Sequence, residues 1–110
     1  MDIPALRKQL KIKAGATARL KKELEHYQKE LVDQKVKKNK LIADGAEQWD
    51  ITNAGKMEDE SEKMIKDATA RVAKSFGELR DLVVSAKKEP ALAQDEDFLK
   101  AEGILEEMAL

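Results

Sequence analysis

The one histidine, His26, has Glu23 three residues before it, Glu30 four after it and Tyr27 beside it. On a helix those neighbours come within reach, so a general base or a metal ligand is conceivable there. Both chemistries need partners held in place, and a charged, exposed helix face does not hold them. The plainer account is a surface histidine. Glu58, Asp59, Glu60 and Glu62 form an acidic run. It lacks the central glycine and alternating oxygen ligands of a calcium loop, so it reads as a solvated face. Lys35, Lys37, Lys38 and Lys40 form a basic run that spreads around a helix without interleaved aromatics. It too reads as a solvated face, with an acidic partner as the sharper alternative. The chain has no cysteine, which removes disulfides, thiolate metal sites and cysteine nucleophiles. No phosphate loop, nucleophile elbow or dinucleotide fingerprint is present. The residues predict no enzyme, no cofactor and no metal.

What remains is scaffold. At 110 residues the chain is the size of one domain. Charged residues are 39% of it and aromatics 4%, which suits slender helices with a narrow apolar seam. The formal net charge is only -1, so the one-sided basic field that nucleic acid or an anionic membrane needs is missing. Apolar runs of two or three residues cannot span a bilayer. Met1-Asp2-Ile3-Pro4 carries no apolar signal segment, so a cytoplasmic location is expected.

Two long stretches repeat apolar residues every three or four positions, with Asp44-Gly45-Ala46 between them. The first seam runs through Leu6, Leu10, Lys13, Thr17, Leu20, Leu24, Tyr27, Leu31, Gln34, Lys38 and Leu41. Ile12 and Ala16 offer an adjacent stripe, and Val32, Val36 and Ile42 widen the far end. Asp2 is the expected N-cap and Gly45 the expected C′ residue. The second seam runs through Ile51, Ala54, Glu58, Ser61, Ile65, Ala68, Val72, Phe76, Leu79, Val83 and Ala86, with Asp50 as N-cap. Its steps from Ala68 to Val72 to Phe76 predict a local slip toward an eleven-residue period. Trp49 then falls before the cap, where it either staples onto the first turn or stands exposed as a binding anchor. Pro90 ends this helix, residues 89–94 link, and Phe98, Ala101, Leu105 and Met108 line one face of a short third helix.

The predicted fold is all-α: a single domain, 1–110, forming an antiparallel three-helix bundle. It is spectrin-repeat-like with coiled-coil packing, and its helices span about 3–44, 51–88 and 95–108. A helix of roughly 38 residues is about 57 Å long, and one of 14 about 21 Å. The third helix therefore covers only part of the pair, near Leu10 to Leu24 and Val72 to Val83. From about Tyr27 through the turn to Ile65 the arm is expected to be two-stranded and half exposed. It offers Leu31, Val32, Val36, Leu41, Ile42, Trp49, Met57, Met64 and Ile65 to a client, unless they simply pack across the pair.

Order and spacing of several stretches resemble the tubulin-binding cofactor A family. Ile12-Lys13-Ala14-Gly15, Arg19-Leu20-Lys21-Lys22-Glu23 and Tyr27-Gln28-Lys29-Glu30 resemble its first helix. Asp44-Gly45-Ala46 and Trp49-Asp50-Ile51 resemble its turn. Glu60-Ser61, Met64-Ile65 and Asp67 resemble its second helix, and Phe98, Ala101 and Leu105 its third. Lys66 departs from a proline that many relatives carry there.

The resemblance implies a non-enzymatic cytosolic chaperone of the late tubulin-folding pathway. Such a protein binds β-tubulin after release from the chaperonin and holds it for assembly of the αβ heterodimer. It implies no nucleotide and no other cofactor, and a place at the microtubule cytoskeleton of the cytoplasm. Other tubulin-folding cofactors are candidate partners, and the chain is a monomer or a homodimer. Candidate protein-binding residues on the distal arm are Tyr27, Glu30, Leu31, Lys35, Lys38, Ser61, Met64, Ile65 and Asp67. The rival from another class is a structural or self-associating coiled-coil scaffold, which would use the same arm to dimerise. A nucleic-acid binder would need a charge surplus the chain lacks.

Overall fold

A computed structural model describes residues 2–109. Helix α1 is Ile3–Ala43, α2 is Gln48–Lys87 and α3 is Glu96–Ala109, with a 3-10 turn at Pro90–Leu92 before α3. Among the described residues there is no strand. The helices pack in two compact units. One holds the chain up to Lys21 and from Arg71 onward; the other is Lys22–Ala70.

Helix ends follow local chemistry. At the start of α1, Asp2 Oδ1 accepts from the Ala5 N–H at 2.8 Å, the side-chain cap expected there. At its end Gly45 sits at φ +67°. The Ala46 N–H reaches back to Leu41 O and the Gly45 N–H to Ile42 O, a paired 6→1 and 5→2 closure. A left-handed residue is required there, and glycine takes that conformation without a Cβ clash.

The second helix begins earlier than the sequence suggested. It opens at Gln48, with Glu47 O accepting from the Asp50 and Ile51 N–H groups. Asp50 is therefore inside the first turn rather than capping it. Trp49 is likewise helical and 73% exposed, so it is no staple. Nothing between Gly45 and Trp49 disfavours helix, so α2 starts as soon as the turn closes. It then runs unbroken past Lys66.

In the first unit the core is Leu6, Leu10 and Ala14 of α1, Leu79, Val83 and Ala86 of α2, Leu92, and Phe98 and Ala101 of α3. This core lies a turn or more closer to the start of α1 and the end of α2 than expected. The reason is the connection: residues 89–94 are not a bare linker. The Pro90–Leu92 turn drives Leu92 fully into the core and starts α3 close by.

Asp95 caps α3, its Oδ1 accepting from the Asp97 and Phe98 N–H groups at 3.0 and 3.2 Å. Its other oxygen, Oδ2, lies 2.6 Å from Arg7 Nε. One side chain thus both starts α3 and ties it to α1. Two further pairs join elements of this unit, Lys21–Glu107 and Lys87–Glu102.

The seams keep the three-four rhythm, with two corrections. Ala14 rather than Ile12 faces inward, and Ile12 is half exposed. In α2, Ser75 occupies the buried position that Phe76 was expected to take. The seam therefore steps Ala68, Val72, Ser75, Leu79, Val83, and the two consecutive steps of four fall later than expected, from Ser75 to Val83. Ser75 is admitted because Thr17 faces it: their hydroxyls meet at 2.6 Å. Thr17 Oγ1 donates to Lys13 O at 2.8 Å, which leaves Ser75 to donate to Thr17. Nearby, Lys13 Nζ is hydrogen-bonded to Glu78 Oε2.

Candidate protein-binding face

The second unit, Lys22–Ala70, contains α1 and α2 segments and no third helix. Its seam from α1 is Leu24, Tyr27, Leu31, Gln34, Lys38 and Leu41, each half buried. From α2 only Ser61 and Ala68 are fully buried. Two helices alone cannot enclose a seam, so this part is thin in apolar packing. Polar contacts supplement it. Ser61 Oγ donates to Gln34 Oε1 at 2.8 Å, and Lys38 Nζ lies 3.4 Å from Glu58 Oε2. Glycine at 55 leaves room beside the Lys38 side chain, whose Nζ would lie 3.8 Å from an added Cβ.

The candidate residues fall into three groups. Tyr27, Leu31 and Ile65 are half-buried seam residues, and Tyr27 also donates from its hydroxyl to Glu23 at 3.1 Å. Ser61 is 5% exposed and engaged with Gln34, so its hydroxyl holds the helix pair rather than facing outward. Lys35 and Lys38 lie on one flank, where Lys38 is taken up by Glu58. Glu30, Met64 and Asp67 stand exposed. His26 is a surface histidine, with Nε2 3.9 Å from a Glu30 carboxylate oxygen.

Val32 and Val36 do not widen the seam. At 60% and 63% exposed they point away from α2, because their positions fall on the opposite side of α1 from Leu31, Gln34 and Lys38. Trp49, Met57, Met64 and Ile42 complete a set of large apolar side chains left open on this unit. These exposed apolar side chains are available for contact with a partner.

A groove of about 450 Å³ runs along one flank of the pair. Glu30, Asp33, Gln34, Lys37 and Leu41 form its α1 wall, and Asp50, Asn53, Ala54 and Met57 its α2 wall. Asp33, Lys37 and Asn53 were not among the sequence candidates. They lie one step off the seam at helical spacing, a signal visible only once the flank is known. Among the described residues no cluster of ligating side chains suits a metal. No described helix is long and apolar enough to cross a membrane.

A three-helix all-α chain with an open two-helix segment invites comparison with known proteins. The family model described as tubulin binding cofactor A matches residues 5–105. The chain belongs to the tubulin binding cofactor A family. The tubulin-specific chaperone A of Gallus gallus is 34% identical over 110 residues, covering 100% of this chain and 98% of that protein. The Homo sapiens protein of the same name is 31% identical over 103 residues, covering 94% and 93%.

The solved structure of human tubulin chaperone cofactor A superposes with a TM-score of 0.80 at 30% identity, over 96% of this chain and 99% of that one. That of tubulin folding cofactor A from Arabidopsis thaliana gives 0.88 at 23% identity over 96% of each, a likeness of fold. Members of the cofactor A family are named as chaperones and are not enzymes. This agrees with the lack of a catalytic constellation in the sequence.

Proposed function

We propose that the chain is a cytosolic tubulin-folding chaperone that captures β-tubulin after its release from the chaperonin. It would then hold β-tubulin for assembly with α-tubulin, the whole 1–110 chain serving as one chaperone domain. Support comes from membership of the cofactor A family together with the exposed apolar side chains of the Lys22–Ala70 unit.

A client released before assembly carries apolar surface that its later partner will cover. A helix pair with open apolar side chains and charged rims can shield such a surface reversibly. Apolar contact supplies affinity, and the flanking charges set encounter rate and keep the complex soluble. No nucleotide or chemical step is needed, because the chaperone only has to bind the intermediate better than water does.

The candidates Tyr27, Glu30, Leu31, Lys35, Lys38, Ser61, Met64, Ile65 and Asp67 all belong to this unit. In this reading the exposed ones meet the client, while Ser61 and Lys38 keep the helices in register beneath them.

The deciding experiment is co-purification with α- and β-tubulin offered separately, without nucleotide. Retention of β-tubulin and not of α-tubulin is the expected result; retention of neither, or of both equally, rejects the reading. The same open side chains would also serve a self-associating scaffold. Light scattering across a hundredfold concentration range distinguishes the two, since a scaffold dimerises in step with loss of exposed apolar surface.

A further inference from the structure

The flank that meets the client can be assigned from charge and apolar exposure together, and the assignment rests on the tubulin-binding reading above. We propose that the groove between α1 and α2 of the Lys22–Ala70 unit receives a basic amphipathic helix of the client.

Three observations converge there. First, Met57 presents an exposed apolar side chain on the α2 wall, which it shares with Ala54 opposite Leu41 of α1. Met57 is 49% exposed; Met64, 40% exposed, follows about two turns further along α2, and Trp49, 73% exposed, directly precedes Asp50 of the wall. A face of this kind is the usual receiver in helix-in-groove recognition. Methionines suit it because their unbranched side chains repack around different anchors. Second, the groove is lined with an excess of negative charge. Glu30, Asp33 and Asp50 line it against the single ammonium of Lys37. An apolar helix flanked by Lys or Arg complements that lining, whereas an acidic helix is repelled. Third, the opposite flank is occupied by the chain itself. Lys38 and Glu58 close it with an ion pair beside Gly55, leaving less apolar surface to offer.

Trp49 is the only tryptophan of the chain and adjoins Asp50 of the groove wall, so its emission reports on a helix bound there. The probe is a fourteen-residue, tryptophan-free helical peptide of leucine and lysine in amphipathic register; its control replaces every lysine with glutamate. With the intact chain, the leucine–lysine peptide should shift Trp49 emission to the blue. It should bind at least tenfold more tightly than the leucine–glutamate peptide and weaken as salt rises. Met57→Glu and Asp33→Lys should each reduce binding about tenfold. Val84→Glu, an equally exposed site of the other unit, should leave it unchanged, and circular dichroism confirms that all three variants remain helical.

In parallel, Met57→Glu should lose β-tubulin in co-purification while Val84→Glu retains it. No emission shift, equal binding of the two peptides, or β-tubulin capture undiminished in Met57→Glu overturns the groove assignment. A wild-type chain that binds the leucine–lysine peptide but ignores β-tubulin upholds the groove and rejects the tubulin reading.

Discussion

Asp95 does two jobs with two oxygens, and they can be separated. Oδ1 caps α3 through the Asp97 and Phe98 N–H groups, while Oδ2 pairs with Arg7. Asp95→Ala should lose both and destabilise the chain by about 1–2 kcal/mol in urea unfolding, the range of a lost cap. Asp95→Asn should lose less, because it keeps a capping oxygen and gives up only the charge. Equal losses in the two variants would show that the ion pair, not the cap, dominates.

Glu78 offers a pH test. The hydrogen bond and charge of Lys13, aided by Lys74, hold its carboxyl below the usual glutamate range against a smaller opposing effect of burial. A folded-state pKa below the unfolded one contributes stability above the unfolded value, and that stability fades as pH falls through the folded value. Glu78→Gln should therefore melt lower than wild type at pH 7. The two melting curves should converge as the pH is taken below about 4. A gap that does not narrow as the pH falls would assign the effect to packing instead of charge.

At the level of elements, the α1–α2 pairing is set by turn chemistry and by one polar layer. Gly45→Ala places a Cβ at φ +67° and should cost about 1 kcal/mol in unfolding free energy, although nothing lies within 4 Å to clash with it. Gly45→Asn should cost less, since asparagine tolerates that region. The Thr17–Ser75 layer is a coupled pair, so its variants should not add. Thr17→Val leaves the Ser75 hydroxyl without its acceptor, at about 1–3 kcal/mol. Adding Ser75→Ala removes the orphan, and the double variant should lose less than the two singles combined, by about 1 kcal/mol. Strict additivity would mean the hydroxyls contribute independently.

That layer also shows why the sequence misplaced the seam. Phe76 is the larger apolar residue, and counting hydrophobes selects it. Ser75 is buried only because a second hydroxyl from another helix satisfies it, and that partner lies 58 positions away. The same limit hid Leu92. A proline-led stretch reads as linker until the core it enters is known.

For the whole molecule, the proposed capture of β-tubulin depends on surface chemistry that must be probed without unfolding the scaffold. Lys38→Glu is a poor probe, because it sets a second carboxylate against Glu58 and weakens the helix pair itself. Lys35 is exposed and has no such burden. Lys35→Glu should slow association with β-tubulin a few-fold and change its salt dependence while leaving the melting curve in place, the behaviour of a rim charge. Unchanged association kinetics across salt concentrations would show that this flank stays idle during encounter.

Sequence alone determined that the chain is all-helical, that two long helices and a short third form, where the first turn closes, and to which family the chain belongs. These are consequences of local pattern: a three-four apolar rhythm, a glycine able to turn left-handed, and the capping carboxylate of Asp2. Tertiary structure alone decided where Trp49 points, which of Ser75 and Phe76 is buried, and that Asp95 links two helices. It also sorted the exposed residues onto a grooved flank and a closed one. Those outcomes depend on what stands opposite each side chain, and periodicity along one helix carries no information about the face of another.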